Sequence, residues 1–232
     1  MDFATALAQR VSDVQHSLEE ATEGRYPAPR IIAVTKTHPL EKILPLASLG
    51  LWDIGENRVQ EIRDKQPALP PSFRVHMIGR LQTNKVKYIM KKVCLIQSVD
   101  RMELAEMIHR QACLQETVMP VLVQVSPAGE AQKGGIAPEA LEGFLRALSG
   151  MSGLHVRGLM AVMPHTDDTD LLDTLFSQMR CRFEQMRDLA INGIDMEELS
   201  MGMSEDYRLA ARHGATMVRV GSALFGPREY PM

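Results

Sequence analysis

Apolar positions along the chain recur in two alternating rhythms. At the start, Phe3, Leu7, Val11, Val14 and Leu18 are spaced by four, four, three and four residues, one face of an amphipathic helix. Gly24 and the Pro27/Pro29 pair end it. Residues 31–36 form a short apolar, β-rich run closed by His38-Pro39. A helix is predicted from there to Leu49, with Gly50 as its stop. The same two beats repeat, predicting strands at 51–55, 74–78, 93–99, 120–125, 156–162, 198–201 and 216–220. Helical stripes lie between them. Leu104, Met107, Ile108 and Ala112 follow a capping pair, Asp100 and Glu103. Leu172, Leu175, Phe176, Met179, Phe183 and Met186 extend over about five turns. Pro138 suits a first helical position. Ser204 is expected to cap a helix with Glu205 and Asp206 in its first turn and Gly214 at its close.

Strict alternation of strand and helix implies a parallel sheet. Eight such units in 232 residues predict an α/β fold, a single closed (β/α)8 TIM barrel. The expected domain is residues 1–232, with residues 1–24 a helix ahead of the first barrel strand. An open doubly wound sheet would want a GxGxxG turn after the first strand, which is absent. Composition narrows the function. With 26 basic and 29 acidic side chains the net charge is −3, no global field for nucleic acid or an anionic membrane. No apolar run approaches the roughly 20 residues of a membrane span, and the N-terminus lacks a signal-peptide core, so a cytoplasmic protein is expected. Cys94, Cys113 and Cys181 are scattered, and seven histidines never fall in a metal-ligand spacing, so no metal is expected.

In a barrel the chemistry lies at the C-terminal ends of the strands. Lys36 closes the first. Desolvation lowers the pKa of a lysine and turns it into a nucleophile for carbonyl carbons, whereas a lysine just past the strand end keeps its tip in water. The segments 200–204 and 220–223 follow strands seven and eight, where barrels commonly hold phosphate through glycine-rich backbone and serine hydroxyls. Ser200, Gly221 and Ser222 are the candidate phosphate contacts. With Lys36 they describe a phosphate-bearing carbonyl ligand held covalently, either pyridoxal phosphate or a phosphosugar aldehyde. Arg219 shares a strand face with Met217 and Gly221. Facing inward, it donates to a pyridine nitrogen and never accepts that atom's proton; facing outward, it pairs with a helix carboxylate. Asn57, at the end of strand two, is a ligand donor or a turn residue. His76 suits a satisfied core position, and Lys133 a solvated loop or a second amine near the mouth. The cations Arg80, Lys85, Lys87, Lys91 and Lys92 form a solvated face or attract an anionic partner. Met160, Met163, Met201 and Met203 line a flat ring or pack the core.

The segments AVTKTHP around Lys36, GENRVQE, HMIGRLQTNK, KGGI, RGLMAV, LSMGMSEDY and ATMVRVGSALFG resemble, in order and over about 200 residues, the pyridoxal 5′-phosphate homeostasis proteins. The resemblance implies a barrel similar to the N-terminal domain of alanine racemase. It implies pyridoxal 5′-phosphate as a Schiff base on Lys36, with phosphate on the Ser200 loop, Gly221 and Ser222, and Arg219 near the ring nitrogen. Arg58 stands where members commonly carry an aromatic residue, and position 80 varies among them.

The implied activity is cofactor binding and distribution, with no catalytic residue assigned. The expected partners are pyridoxal phosphate itself and apo-enzymes that accept it, and the chain is expected to be a monomer. Racemisation needs a base opposite the lysine; no second domain is expected to deliver one, and Tyr26, Tyr88, Tyr207 and Tyr230 carry no signal that nominates them. A weak amino-acid racemase and a Schiff-base aldolase are the alternatives.

Overall fold

The computed structural model describes residues 2–129 and 134–227. Eight parallel strands, β1 (Arg30–Val34), β2 (Asp53–Glu56), β3 (Arg74–Met77), β4 (Leu95–Val99), β5 (Met119–Val125), β6 (Leu154–Ala161), β7 (Ile194–Ser200) and β8 (Met217–Val220), pair in chain order. β8 then pairs with β1 through Arg30–Met217, Ile31–Val218, Ile32–Arg219 and Ala33–Val220, closing the barrel. The predicted architecture is the observed one.

The helices follow from the stripes. In α1 (Phe3–Thr22) the residues Leu7, Val11, Val14 and Leu18 are buried, and the Asp2 carboxylate caps the helix by accepting from Thr5 N–H at 2.8 Å. The other α-helices are α2 (Leu40–Ile43), α3 (Val59–Lys65), α4 (Met102–Leu114), α5 (Leu141–Leu148), α6 (Thr169–Asp188), α7 (Tyr207–Arg212) and α8 (Ser222–Phe225). α6 buries Leu172, Leu175, Phe176, Met179 and Phe183, as its spacing demands. α1 packs against α7 and α8, beside the β8–β1 closure.

Three local expectations change. The helix after β1 tightens into a 3-10 turn over Leu44–Leu49, because Pro45 has no N–H to continue the α ladder. Asp100 does not cap α4; it pairs with Arg101, which occupies the N-cap without a side-chain bond. Ser204 does not cap α7 either. Asp206 Oδ1 accepts the Met203 N–H at 2.5 Å, the chain turns there, and the helix begins at Tyr207. Strand seven begins at Ile194, four residues ahead of its expected start, and strand eight at Met217, one residue after its own.

Two hydrophobic clusters form. The larger lies between the outer strand face and the helices. The smaller plugs the barrel with Ile32, Leu95, Leu122, Met160 and Met217, one residue from each of five strands. Met217 on the inner face places Arg219 there as well. Where β6 and β7 slip register, Gly158 adopts φ +143°, and an added Cβ would stand 1.9 Å from the Glu198 carbonyl oxygen. Gly158→Ala is therefore expected to destabilise the barrel by about 3–4 kcal/mol in urea denaturation, through backbone strain and a rigid clash.

Candidate functional site

The C-terminal ends of β7, β8, β1 and β2 gather the residues singled out by sequence. β1 stops at Val34, two residues short of the expected Lys36. Thr35 still donates its N–H to Gly55 O at 3.0 Å, and Lys36 follows in a turn closed by His38 N–H to Thr35 O at 3.1 Å. Lys36 is half-buried. Val34 pairs with Gly55 in the β1–β2 register, so Asn57 lies two residues beyond that pair as Lys36 does on its own strand. On the other side, Gly221 packs on Val34, with an added Cβ at 3.4 Å from the Val34 Cβ.

The turn bearing Lys36 is held from α3. Lys65 Nζ donates to Thr35 O at 2.8 Å, and Thr37 N–H donates to Glu61 Oε2 at 2.7 Å, so side-chain bonds bracket Lys36. Thr37 has φ +67°, a left-handed conformation that strains a β-branched residue. Lys65 also binds Glu56 Oε1 at 2.8 Å and Glu61 Oε2 at 2.9 Å, while Thr35 Oγ1 donates to Glu56 Oε1 at 2.6 Å. Glu56 Oε2 is buried with no partner. Burial pushes the Glu56 carboxyl up, against the hydrogen bonds from Lys65 and Thr35. Burial acts the same way on Glu61, but the Thr37 N–H and Lys65 outweigh it and hold that carboxyl down. Sequence reasoning missed this clamp; its signal was two carboxylates five residues apart in the GENRVQE segment.

Inside the barrel a single file of hydrogen bonds starts at Arg219. This guanidinium is buried, and burial brings its pKa down to about 10, against the attraction of Asp206. Among the described residues no carboxylate lies within ion-pair distance of it. It donates to Ser200 Oγ and to Ala161 O, both at 2.7 Å. Ser200 Oγ donates in turn to Gln97 Oε1 at 2.7 Å, Gln97 Nε2 lies 3.1 Å from His76 Nδ1, and His76 Nε2 lies 2.9 Å from Asp53 Oδ1. Arg74 closes the file on Asp53 Oδ2. Gln97 turns its Nε2 to His76 and its Oε1 to Ser200, so the bonds run one way, from Arg219 to Asp53. In that direction His76 accepts at Nδ1 and donates from Nε2.

Burial raises the Asp53 carboxyl, but hydrogen bonds from His76 and Arg74 outweigh it and leave it lowered. A lowered carboxyl contributes stability that is complete above its unfolded value near 3.8 and is lost as pH falls through the folded value. Asp53→Asn is expected to cost about 2 kcal/mol at neutral pH and to flatten the stability curve below about pH 4, followed by urea denaturation.

The loops after β7 and β8 meet through a different serine from the one expected. Ser200, the last residue of β7, is fully buried, and its hydroxyl faces the interior file. Ser204 Oγ instead accepts the N–H groups of Gly221 at 3.0 Å and Ala223 at 3.3 Å, so two amides converge on one oxygen. Ser222 is exposed beside them. Gly202 has φ +92°, and an added Cβ would stand 2.5 Å from Ala210 Cβ. Met160, Met163 and Met201 are buried and Met203 is exposed at the rim. His76 is a satisfied interior histidine. Lys133 and Tyr230 lie outside the described residues.

Residues 10–229 match the alanine racemase N-terminal domain family. A pyridoxal phosphate homeostasis protein of Aquifex aeolicus is 38% identical over 232 residues, covering 99% of this chain and 100% of that one. This chain belongs to the pyridoxal phosphate homeostasis protein family. A second homeostasis protein, from Deinococcus radiodurans, is 41% identical over 197 residues, 84% of this chain and 88% of its own. PipY of Synechococcus elongatus, solved with pyridoxal phosphate bound, has a TM-score of 0.84 and 33% identity, covering 95% of this chain and all of PipY. Alanine racemase of Corynebacterium glutamicum has a TM-score of 0.73 at 16% identity, and this chain spans 62% of it, a likeness of fold alone. Among the described residues of this family member, no helix is long and apolar enough to cross a membrane.

Proposed function

We propose that this chain binds pyridoxal 5′-phosphate through Lys36 and holds it for distribution to apo-enzymes. The observation that carries the reading is the adjacency of the ends of β1 and β8, where Val220 pairs with Ala33 and Gly221 packs on Val34, two residues before Lys36, next to the buried Arg219. The residues present fit the group. Two convergent amides, of Gly221 and Ala223, suit an anionic oxygen that replaces the Ser204 hydroxyl, with Ser204 and Ser222 as further donors. When bound, the cofactor supplies an aldehyde for amines and a ring that withdraws electrons. Lys36 is the amine that attaches it, and Asn57 borders the mouth. Arg219 donates to the ring nitrogen and puts no proton on it, which weakens electron withdrawal. Ser200, expected as a phosphate contact, acts through Arg219: its hydroxyl and Gln97 fix the guanidinium.

These features favour holding over turnover. Tyr26 lies ahead of β1 and against Gly214, at the barrel end opposite Lys36, which removes it as the opposing base a racemase requires. The test is an absorption spectrum of the purified protein before and after borohydride, followed by mapping of the labelled peptide. Label on Lys36 is expected, and label on another lysine would overturn the assignment. Incubation with single amino-acid enantiomers is expected to leave their chirality unchanged; Lys36-dependent racemisation would make the protein an enzyme.

A further inference from the structure

The barrel face that carries Lys36 has a second concavity. A groove of about 860 Å³ opens between the loops after β2, β3 and β4, with Asn57 in its lining. The segments GENRVQE and HMIGRLQTNK build most of it, yet the cofactor reading uses only Asn57 from its lining. Five of the lining residues are cationic, Arg58, Arg63, Arg80, Lys85 and Arg101, and none is acidic. Arg101 pairs with Asp100. The other four have no carboxylate within ion-pair distance among the described residues, in a chain with more acids than bases. Most other arginines are paired, including Arg25, Arg30, Arg74, Arg146, Arg157 and Arg180. Unpaired positive charges converging on one concavity leave a repulsion that an anion relieves.

The floor of the groove is fixed before any ligand arrives. Gly79 lies so close to Asn57 that an added Cβ would stand 2.4 Å from the Asn57 carbonyl oxygen. Ser98 Oγ donates to Gly79 O at 2.7 Å, and Arg101 donates to Leu81 O at 2.9 Å while Leu81 is fully buried. The loop that presents Arg80 is thereby held against the end of β2. Such preorganisation lowers the cost of binding.

We infer that this groove binds a small ligand bearing two or more linked phosphates. Guanidinium forks match phosphate oxygens, and four unpaired cations exceed what one phosphate of about −1.5 to −2 neutralises. The lining aromatic, Tyr88, has Arg63, Lys85 and Lys87 over its ring at 5.0, 5.9 and 5.1 Å, so it offers no free platform on which nucleic-acid bases stack. The concave shape favours a discrete ligand over an extended protein face. None of the four unpaired cations takes part in the proposed cofactor contacts, so the inference stands whether or not Lys36 carries pyridoxal phosphate.

The experiment uses the protein as purified, with its cofactor absorption recorded in each sample. Binding of inorganic tripolyphosphate is measured by calorimetry, beside orthophosphate, adenosine triphosphate, a short single-stranded RNA and a glutamate-rich peptide. Tripolyphosphate is expected to bind at least tenfold tighter than orthophosphate and to weaken as salt is raised. Arg63→Ala/Arg80→Ala is expected to weaken it about tenfold or more with the cofactor band unchanged, whereas Lys91→Ala, a cation outside the groove, leaves it intact. Adenosine triphosphate binding with the same Arg63 and Arg80 dependence supports a nucleotide as the source of the phosphates. Equal affinity in wild type and the double variant overturns the site. Tighter binding of the RNA or the peptide than of tripolyphosphate overturns the ligand class.

Discussion

Lys36→Ala is expected to abolish the absorption band of lysine-bound pyridoxal and the borohydride label together, while the barrel still folds. Lys36 is half-buried in a turn beyond the end of β1, so truncation removes no strand pairing. What remains is reversible binding through the Gly221 and Ala223 amides, the Ser204 and Ser222 hydroxyls and Arg219. Charge-assisted hydrogen bonds of this kind contribute about 1.5–3 kcal/mol each, so cofactor should survive short dialysis less well than in wild type. An unchanged band would sink the assignment of Lys36. Glu61→Leu makes an informative companion. It leaves the amine intact but removes the acceptor of the Thr37 N–H and one partner of Lys65. A stability loss of about 2 kcal/mol is expected, together with slower attachment of the cofactor at Lys36. Attachment at the wild-type rate would show that the clamp supports the fold and not the aim of the lysine.

The second large effect is expected from Gln97→Leu. Gln97 is fully buried and joins the two halves of the interior file. Leucine keeps the bulk but leaves the Ser200 O–H without its acceptor and His76 Nδ1 without its donor. Each buried unsatisfied group costs about 1–3 kcal/mol, so a loss of about 2–6 kcal/mol is expected by urea denaturation. The variant should also loosen Arg219, seen as a shift in the cofactor spectrum toward the form protonated at the ring nitrogen. Nitrogen NMR of the wild-type His76 ring is expected to show the proton on Nε2. A proton on Nδ1 would reverse the direction of the file and refute its logic.

Much of the fold was legible from the order of residues because burial leaves a local period. Four- and three-residue spacing in α1 and α6 marks one buried helix face, and short β-branched runs mark strands covered on both sides. Lys36, Asn57, Arg219, Gly221 and Ser222 stood out as polar or flexible residues at the ends of such runs. Local capping was read less well. Asp100 and Ser204 have the residue type and spacing of caps, yet Asp100 pairs with its neighbour Arg101 and Ser204 bonds across to the loop after β8.

By itself the sequence determined the alternation, the number of strands, which residues of β8 share a face and the strand ends at which chemistry gathers, since each depends on residues within a few positions of one another. Only the tertiary structure decided what the hydroxyls and carboxylates do. Ser200 reaches Gln97, 103 residues away, and so holds Arg219, while Ser204 takes the loop position expected of it. Glu61 and Lys65 grip the Lys36 turn across the β1–β2 unit, and cations of three separate loops converge on one groove. A hydrogen bond is set by direction and by its partner, and barrel closure chooses partners that no local period encodes.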